Sequence, residues 1–230
     1  MINIQRISQQ AIQTEPFNWA AIDNLYSPDD ATALASTFPH GHFKTVVGND
    51  GEKVYKYEVR SLVAMGSNTI SFPEELSDAW LDFANALISP AYRAAMSRLT
   101  GYDLTAAPIE VNLFHYGPGA SLGPHLDLST KLVTHAIYFN QWWDAKEGGC
   151  LNILRSSDPK DVAVEILPVV GNSAVIVRSE KSWHAVSPVV EGCSWSRRSL
   201  TATFYQNDSP SSMWVADDST ALHHYDIPDM

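Results

Sequence analysis

The chain has 230 residues, 45% of them hydrophobic and 18% charged, so it can bury a sizeable core without a disulfide framework. Its net charge of −11 argues against a nucleic-acid partner, because such partners are bound largely through lysine and arginine. No apolar run approaches the roughly 18 residues of a membrane span, and the polar N-terminus lacks the apolar segment of a signal peptide. Cys150 and Cys193 show no CxxC spacing, so we expect buried thiols in a cytoplasmic protein without a membrane partner.

The first predicted elements are a short strand, a helix and a second strand. Residues 17–25 contain the apolar and aromatic side chains of a strand. Ser27 and Pro28 then open a helix, because serine caps helices well and proline is favoured at the first helical position. This helix should end before Pro39. Residues 53–63 predict the next strand.

Two further helices are predicted between residues 73 and 100. The first carries an apolar stripe at helical spacing, which indicates a face packed on the core. Ser89 caps the second helix and Gly101 ends it. The stripe consists of Leu76, Trp80, Phe83 and Leu87.

From about residue 106 the sequence changes to eight short apolar runs separated by glycine and proline turns. Short strands at regular spacing are typical of a sandwich or barrel, and eight strands in two facing sheets form a jelly roll, as in cupins. The predicted fold class is therefore α+β, mainly β: a double-stranded β-helix with supporting helices from the N-terminal half. We expect one domain, 1–230, with a supporting layer at 1–105, the core at 106–207 and a tail at 208–230.

The core region contains a candidate metal site. His125 and Asp127 are two residues apart in a predicted strand, so both side chains point to one face. His184, at the start of a later strand, supplies a third ligand. Two imidazoles and one carboxylate on one face are the ligand set of non-haem iron(II) oxygenases. A second match, His224 with Asp226, lies beside the C-terminus and is interpreted as a solvated tail.

An arginine in the last predicted strand completes the pattern. Arg197, Ser199 and Thr201 share one strand face. A buried guanidinium is costly without an anion, and its two-pronged geometry matches a carboxylate. The cavity that holds the metal is thus predicted to hold a dicarboxylate as well. Arg198 points the other way and is expected to be a surface charge.

Residues 111–205 resemble the 2-oxoglutarate (2OG) oxygenase superfamily, in its prolyl 4-hydroxylase-like branch. The resemblance lies in four ordered motifs: FHYGPGASLGPHLD, LVTHAIYFNQWWDAKEGGCLNI, HAVSPV and RRSLTATFY. It implies Fe(II), 2OG as co-substrate and O2. It also implies that His125, Asp127 and His184 are the iron ligands and catalytic centre.

The same resemblance assigns residues to 2OG. Arg197 resembles the arginine that pairs with the distal carboxylate of 2OG, and Thr201 resembles its hydroxyl partner. Tyr138 is similar to a tyrosine that reaches the same carboxylate, and Tyr116 to one that lines the iron and substrate pocket. Aromatic core packing is the alternative for both tyrosines. The glycine pair at 148–149 matches one that precedes a core strand.

The predicted function is that of an Fe(II)/2OG-dependent dioxygenase. It would hydroxylate or otherwise oxidise an unactivated C–H bond of a small molecule, such as an amino acid or a specialised-metabolite intermediate. Candidate substrate contacts are Asn112, Arg155, Arg178 and Trp142; surface ion pairing is the alternative for the arginines, and packing for the tryptophan. Three other functions stay open: hydroxylation of a prolyl or other residue in a peptide, nucleic-acid demethylation, and a cupin-like protein that binds metal or ligand without catalysis. The sequence predicts neither the substrate nor the oligomeric state.

Overall fold

The computed structural model of the protein describes residues 1–49 and 54–209. The helices are α1 (Ile4–Gln9), α2 (Pro28–Ser36), α3 (Asp78–Ile88) and α4 (Pro90–Thr100), with 3-10 turns at Pro73–Glu75 and Ala145–Glu147. The strands are β1 (Trp19–Ile22), β2 (Lys44–Asn49), β3 (Val54–Val63), β4 (Ile109–Tyr116), β5 (Ser121–His125), β6 (Lys131–Tyr138), β7 (Leu151–Leu154), β8 (Val162–Ile166), β9 (Ser173–Val177), β10 (His184–Val186) and β11 (Arg197–Tyr205). Among these residues, no helix has the length and apolar character of a membrane span. Most of the predicted tail, including His224 and Asp226, lies outside the described residues.

Capping residues set the ends of the three longer helices. The hydroxyls of Ser27, Ser77 and Ser89 accept hydrogen bonds from backbone N–H groups in the first turns of α2, α3 and α4. Gly101 ends α4 with φ +79°, a left-handed conformation that glycine adopts without steric cost. The helix ends predicted before Pro39 and at Gly101 are confirmed.

The sequence does not predict two of the elements. Helix α1 lies in a segment that looks polar, yet its Ile7 is fully buried and the helix packs on α4. Strand β2 pairs antiparallel with β3. Both elements are six residues long, which is too short for a hydrophobic period to stand out, and tertiary contacts therefore decide their structure.

All eleven strands belong to one antiparallel sheet that curls into a nearly closed barrel. The order is β1-β9-β6-β11-β4-β3-β5-β10-β7-β8, with β2 paired to β3. The eight strands β4 to β11 are those predicted for the core, and the mainly β, jelly-roll fold class is confirmed. Cys150 and Cys193 are free and buried, as predicted.

The two faces of the sheet have different functions. The outer face of its central strands packs against the helices. There Trp80 is fully buried between the rings of Phe38 and Phe139, and its indole N–H donates to the carbonyl of Leu34 at 3.0 Å. The inner face encloses a cavity. Because side chains alternate along a strand, β4 and β11 each send every second residue into that cavity.

Arg198 lies on the helix-facing side, and the prediction of a surface charge is wrong. Its side chain is half-buried, and its guanidinium lies 5.8 Å from the centre of the Phe38 ring. The neighbouring His115 is buried, and burial, together with the positive charges of Arg198 and His40, lowers its pKa to about 3. The helical layer covers this part of the sheet, which strand alternation alone does not indicate.

Candidate active site

Three polar side chains converge inside the barrel. His125 ends β5, Asp127 follows it by two residues, and His184 begins β10 directly opposite His125 in the pairing of the two strands. One ligand atom from each residue lies within 4.8 Å of the others, and all three residues are buried. The structure thus brings together the residues that the sequence singles out, in a group that suits one metal ion.

Backbone carbonyls orient both imidazoles. Nδ1 of His125 lies 3.0 Å from the carbonyl oxygen of Gly123, and Nδ1 of His184 lies 2.9 Å from that of Ser182. A carbonyl oxygen can only accept, so Nδ1 must carry the proton in each ring. Nε2 therefore presents the lone pair that a metal ligand needs.

Asp127 is held through both carboxylate oxygens. Lys131 donates to Oδ1 at 2.6 Å, and the Thr134 hydroxyl donates to Oδ2 at 2.9 Å. Burial by itself would raise the pKa of Asp127, but the positive charge and hydrogen bond of Lys131, with the positive charge of His184 and His125 when those rings are protonated, hold the pKa well below its usual range. The carboxylate is therefore ionised, as a metal ligand must be.

A buried cation lies beside this group in the same barrel. Arg197 is 3% exposed, and its guanidinium carbon lies 4.8 Å from the ring centre of Tyr116 and 5.3 Å from that of Tyr138. One guanidinium nitrogen donates to the Ser199 hydroxyl at 2.6 Å. Its Nε, however, has no hydrogen-bond partner among the described residues. A buried polar atom left without a partner costs free energy, so this position favours an anionic ligand.

The two tyrosines beside Arg197 remain neutral hydrogen-bond donors. Burial raises the pKa of Tyr116 to about 12 and that of Tyr138 well above its usual value, and the positive charge of Arg197 offsets only part of this. The Tyr138 hydroxyl is buried and has no hydrogen-bond partner in the described part of the chain. Together with Arg197 it offers two donors to one ligand.

The three candidate metal ligands His125, Asp127 and His184, called the metal group below, share one cavity of about 340 Å³ with the Arg197 guanidinium. Its wall includes His125, Asp127, His184, Arg197, Thr201, Tyr116 and Asn112. Tyr138 is not among the lining residues, but it shares a face of β6 with the lining residues Thr134 and Ala136, and its ring contacts the guanidinium. Two imidazoles, one carboxylate and a nearby buried guanidinium are a donor set that fits Fe(II) together with a dicarboxylate.

Comparison with known proteins bears on this site. Residues 111–206 match the model of the 2OG-Fe(II) oxygenase superfamily. This match covers less than half of the chain, so it is residues 111–206 that are similar to that superfamily. The similarity, together with the group of His125, Asp127 and His184, implies Fe(II) and O2 as cofactors, with 2OG as co-substrate. No curated protein matches the sequence of this oxygenase.

Solved structures show the same fold. A prolyl-4-hydroxylase from Pseudomonas putida is 20% identical, with a TM-score of 0.60 over 88% of this chain and 97% of its own. A Trichoplax adhaerens prolyl hydroxylase, solved with a hypoxia inducible factor peptide, is 15% identical, with a TM-score of 0.60 over 88% and 90%. The epimerase SnoN from nogalamycin biosynthesis is 12% identical, with a TM-score of 0.50 over 88% and 81%. At these identities the likeness establishes the fold only.

The glycine pair of this oxygenase allows two loops to cross beside Arg197. Gly148 and Gly149 both have φ +68°, in the left-handed region. A Cβ atom on Gly148 would lie 1.9 Å from the carbonyl oxygen of Pro188, and one on Gly149 would lie 3.4 Å from Cδ of Arg197. Glycine is therefore required at 148, and the pair lets the chain pass close to the guanidinium before β7 begins.

Three of the four predicted substrate contacts lie outside the cavity wall. Arg155 is exposed, donates to the carbonyl of Val162 at 2.8 Å and pairs with Asp161 at 3.5 Å. Trp142 is 63% exposed. The alternation of side chains predicts which face of a strand a residue lies on. It does not predict whether a residue at the end of that strand reaches the cavity.

Arg178 is the third of these residues. It pairs with Glu180, and its Nε donates to the backbone carbonyl of Asp127 at 3.4 Å. Arg178 therefore supports the backbone at Asp127, and it does not line the cavity. Of the four predicted contacts, only Asn112 lies in the cavity wall.

Sequence reasoning missed several residues of this wall. For four of them, Glu110, Thr134, Thr203 and Tyr205, other cavity residues of the same strand were recognised, so the alternation of the strand was the signal that could have found them. Lys131 departs from the alternation of β6, and no cavity residue was predicted on β2 or β3. Glu110 has the parity of Asn112, Thr134 that of Tyr138, and Tyr205 that of Arg197. The missed wall residues are Glu110, Lys131, Thr134, Thr203 and Tyr205, with Val46, Tyr55 and Tyr57 from the β2–β3 pair.

Thr134→Val should weaken metal binding about 10- to 100-fold, because the hydroxyl that orients Asp127 is replaced by a methyl group of similar size. The measurement is an anaerobic Fe(II) titration of the purified variant. Thr105→Val, at an exposed position outside the cavity wall, is the matched control and should bind Fe(II) as the wild type does. Equal affinity in both variants would show that the bond between Thr134 and Asp127 is dispensable.

Proposed function

We propose that this oxygenase binds Fe(II) through His125, Asp127 and His184, and oxidises, most simply by hydroxylation, an unactivated C–H bond of a small molecule. An amino acid or a specialised-metabolite intermediate would fit. The observation that carries the proposal is the buried guanidinium of Arg197, whose Nε lacks a partner among the described residues, in the same cavity as the metal group. When bound, Fe(II), 2OG and O2 supply the oxidising chemistry, while the protein positions the reacting groups.

Arg197 is the proposed anchor for the distal carboxylate of 2OG. The guanidinium and the Tyr138 hydroxyl would donate to that carboxylate, which removes the cost of two unsatisfied buried groups. The ring of Tyr116 packs on the guanidinium and limits its orientations. Thr201 lies two residues beyond Ser199 on the same strand face, lines the cavity and would complete the 2OG site.

The dimensions of the cavity support a small substrate. Its volume of about 340 Å³ lies near the lower end of the range for small-ligand sites, about 300–1,000 Å³. Part of that volume is required for 2OG. Val46, Tyr55 and Tyr57, from the paired strands β2 and β3, form one wall, with Asn112 as the proposed substrate contact. The single continuous sheet supports our proposal of one domain spanning 1–230.

Hydroxylation of a prolyl or similar residue in a peptide is the second candidate function. It is favoured by the likeness in fold to the two prolyl hydroxylases, one of which was solved with a peptide. A peptide would place one side chain in the cavity and the rest of its length on the rim. A turnover assay distinguishes the two candidates directly.

The deciding experiment is anaerobic reconstitution with Fe(II) and 2OG, followed by a turnover screen. We expect the visible metal-to-ligand absorption band of an Fe(II)–2OG complex, and then succinate release with a small metabolite. Succinate release only with proline-containing peptides would establish the second candidate. A band without turnover on any compound would favour a binding protein without catalysis, and absence of the band would refute the proposal.

A further inference from the structure

Lys131 reaches the cavity through an irregularity in strand β6. The pairing of β6 with β11 passes from Val133 to Lys131 within one residue of β11, so Leu132 is an extra residue in β6. Leu132 and Val133 both pack on the hydrophobic core that includes the helices. Such a bulge re-aims a neighbouring side chain. Lys131 therefore lines the same cavity as Thr134, although the two residues are three positions apart.

The turn before β6 places the Lys131 ammonium group against Asp127. The backbone N–H of Lys131 donates to the carbonyl of Leu128 at 3.0 Å, which turns the chain back toward Asp127. Nζ of Lys131 then donates to Oδ1 of Asp127 at 2.6 Å, and the two side chains are 18% and 5% exposed. The pair is thus largely shielded from water, and charges interact more strongly there than at the surface.

Lys131 and Thr134 both hold Asp127, but only Lys131 does so with a charge. The Thr134 hydroxyl donates to Oδ2 at 2.9 Å and orients the carboxylate without opposing a metal ion. The ammonium group of Lys131 neutralises the same carboxylate. A divalent ion bound by His125, Asp127 and His184 would share Asp127 with that ammonium group, and the two positive charges repel each other.

The charged side chains of the cavity wall are equal in number before a ligand binds. Lys131 and Arg197 are its lysine and arginine side chains, and Asp127 and Glu110 are its carboxyl side chains. Fe(II) alone adds two positive charges to this set, whereas 2OG adds two negative charges. Fe(II) alone therefore leaves an excess of positive charge in the cavity, and 2OG removes it.

We propose that Lys131 opposes the binding of Fe(II) alone and favours the binding of 2OG once Fe(II) is present. This inference rests on the proposed function, because it assumes Fe(II) at the metal group. In the metal-free protein Lys131 offsets the cost of the buried Asp127 carboxylate. With Fe(II) bound, the charge of Lys131 is in excess and attracts the dianion 2OG. Fe(II) is thereby retained mainly together with 2OG.

The test compares two dissociation constants in Lys131→Met, which removes the charge and keeps an unbranched side chain. Fe(II) is titrated calorimetrically into the anaerobic metal-free protein, and 2OG is titrated into the Fe(II)-loaded protein by its visible absorption band. We expect Fe(II) to bind about ten-fold more tightly and 2OG about three-fold more weakly, because the ammonium group is nearer to the metal group than to the 2OG anchor. If Lys131 only oriented Asp127, its loss would weaken Fe(II) binding instead.

Two further variants and a stability measurement serve as controls. Lys131→Arg keeps the positive charge, so both dissociation constants should stay close to those of the wild type. Lys146→Met, at an exposed position outside the cavity wall, should change neither of them. Without metal, Lys131→Met should be less stable than the wild type, because a buried carboxylate loses its partner. Fe(II) should then raise its thermal midpoint by more than it raises that of the wild type.

Specific results would overturn the inference. Fe(II) binding that is unchanged or weaker in a folded Lys131→Met protein would do so, and so would 2OG binding that is unchanged or tighter. If the wild type binds Fe(II) but forms no band with 2OG, the proposed function fails, and the Fe(II) dissociation constants alone then decide whether Lys131 opposes the metal. A wild type that binds no Fe(II) would refute both.

Discussion

Asp127→Ala is expected to abolish 2OG turnover and to lower Fe(II) affinity by more than about a hundred-fold. Loss of a group that only orients a metal ligand costs 10- to 100-fold, and Asp127 is proposed to be a ligand itself. It is also the anionic member of the group, since both histidines present neutral nitrogens. The measurements are an anaerobic Fe(II) titration and succinate release with the substrate found in the screen.

Controls separate ligand loss from unfolding. Asp127→Ala removes the partner of Lys131 and leaves a partly buried cation, so the variant must be shown to fold by its thermal midpoint and circular dichroism. Asp127→Asn keeps the side-chain shape and removes the charge, and it should also lose Fe(II) binding. Asp82→Ala, at an exposed position on α3, is the matched control. Near-wild-type turnover in a folded Asp127→Ala protein would remove Asp127 from the site.

Arg197→Ala is expected to weaken 2OG binding about 30- to 5,000-fold. This range corresponds to the 2–5 kcal/mol lost when one partner of a buried charge pair is removed. Fe(II) binding should persist, because the metal group has its own hydrogen bonds to Gly123, Ser182 and Thr134. The measurement is the 2OG dissociation constant from titration of the visible absorption band.

The adjacent arginine provides the control for this prediction. Arg198→Ala removes the same side chain from the opposite face of the same strand, so it should leave the 2OG dissociation constant unchanged. Arg197→Lys should recover only part of the affinity, because an ammonium group cannot form the two parallel hydrogen bonds of a guanidinium. If Arg198→Ala were the variant that loses 2OG, the assignment of cavity and helix faces on β11 would be wrong.

Most of the fold could be predicted because its signals are local. The eight core strands are separated by glycine and proline turns, and the predicted caps Ser27 and Ser89 bind backbone N–H groups within one helical turn. Helix α1 and strand β2 could not be predicted, since each is too short for a hydrophobic period to stand out and depends on packing with another element: α1 with the distant α4, and β2 with the neighbouring β3. The same distinction explains the error at Arg198, which is covered by a helical layer that no local pattern describes.

The candidate site also combines features that local sequence patterns predict with features that only tertiary contacts determine. By itself the sequence determined that Arg197 and Thr201 share a strand face, because the period of a strand is two residues. Asp127, predicted in one strand with His125, lies beyond the end of β5, so strand alternation does not place it beside His125. Only the tertiary structure decided which faces meet. The pairing of β5 with β10 brings His184 opposite His125, and the end of β7 leaves Arg155 at the surface. Long-range strand register, which no local sequence pattern encodes, also places the carboxylate of Glu110 at the far end of the cavity wall from Arg197.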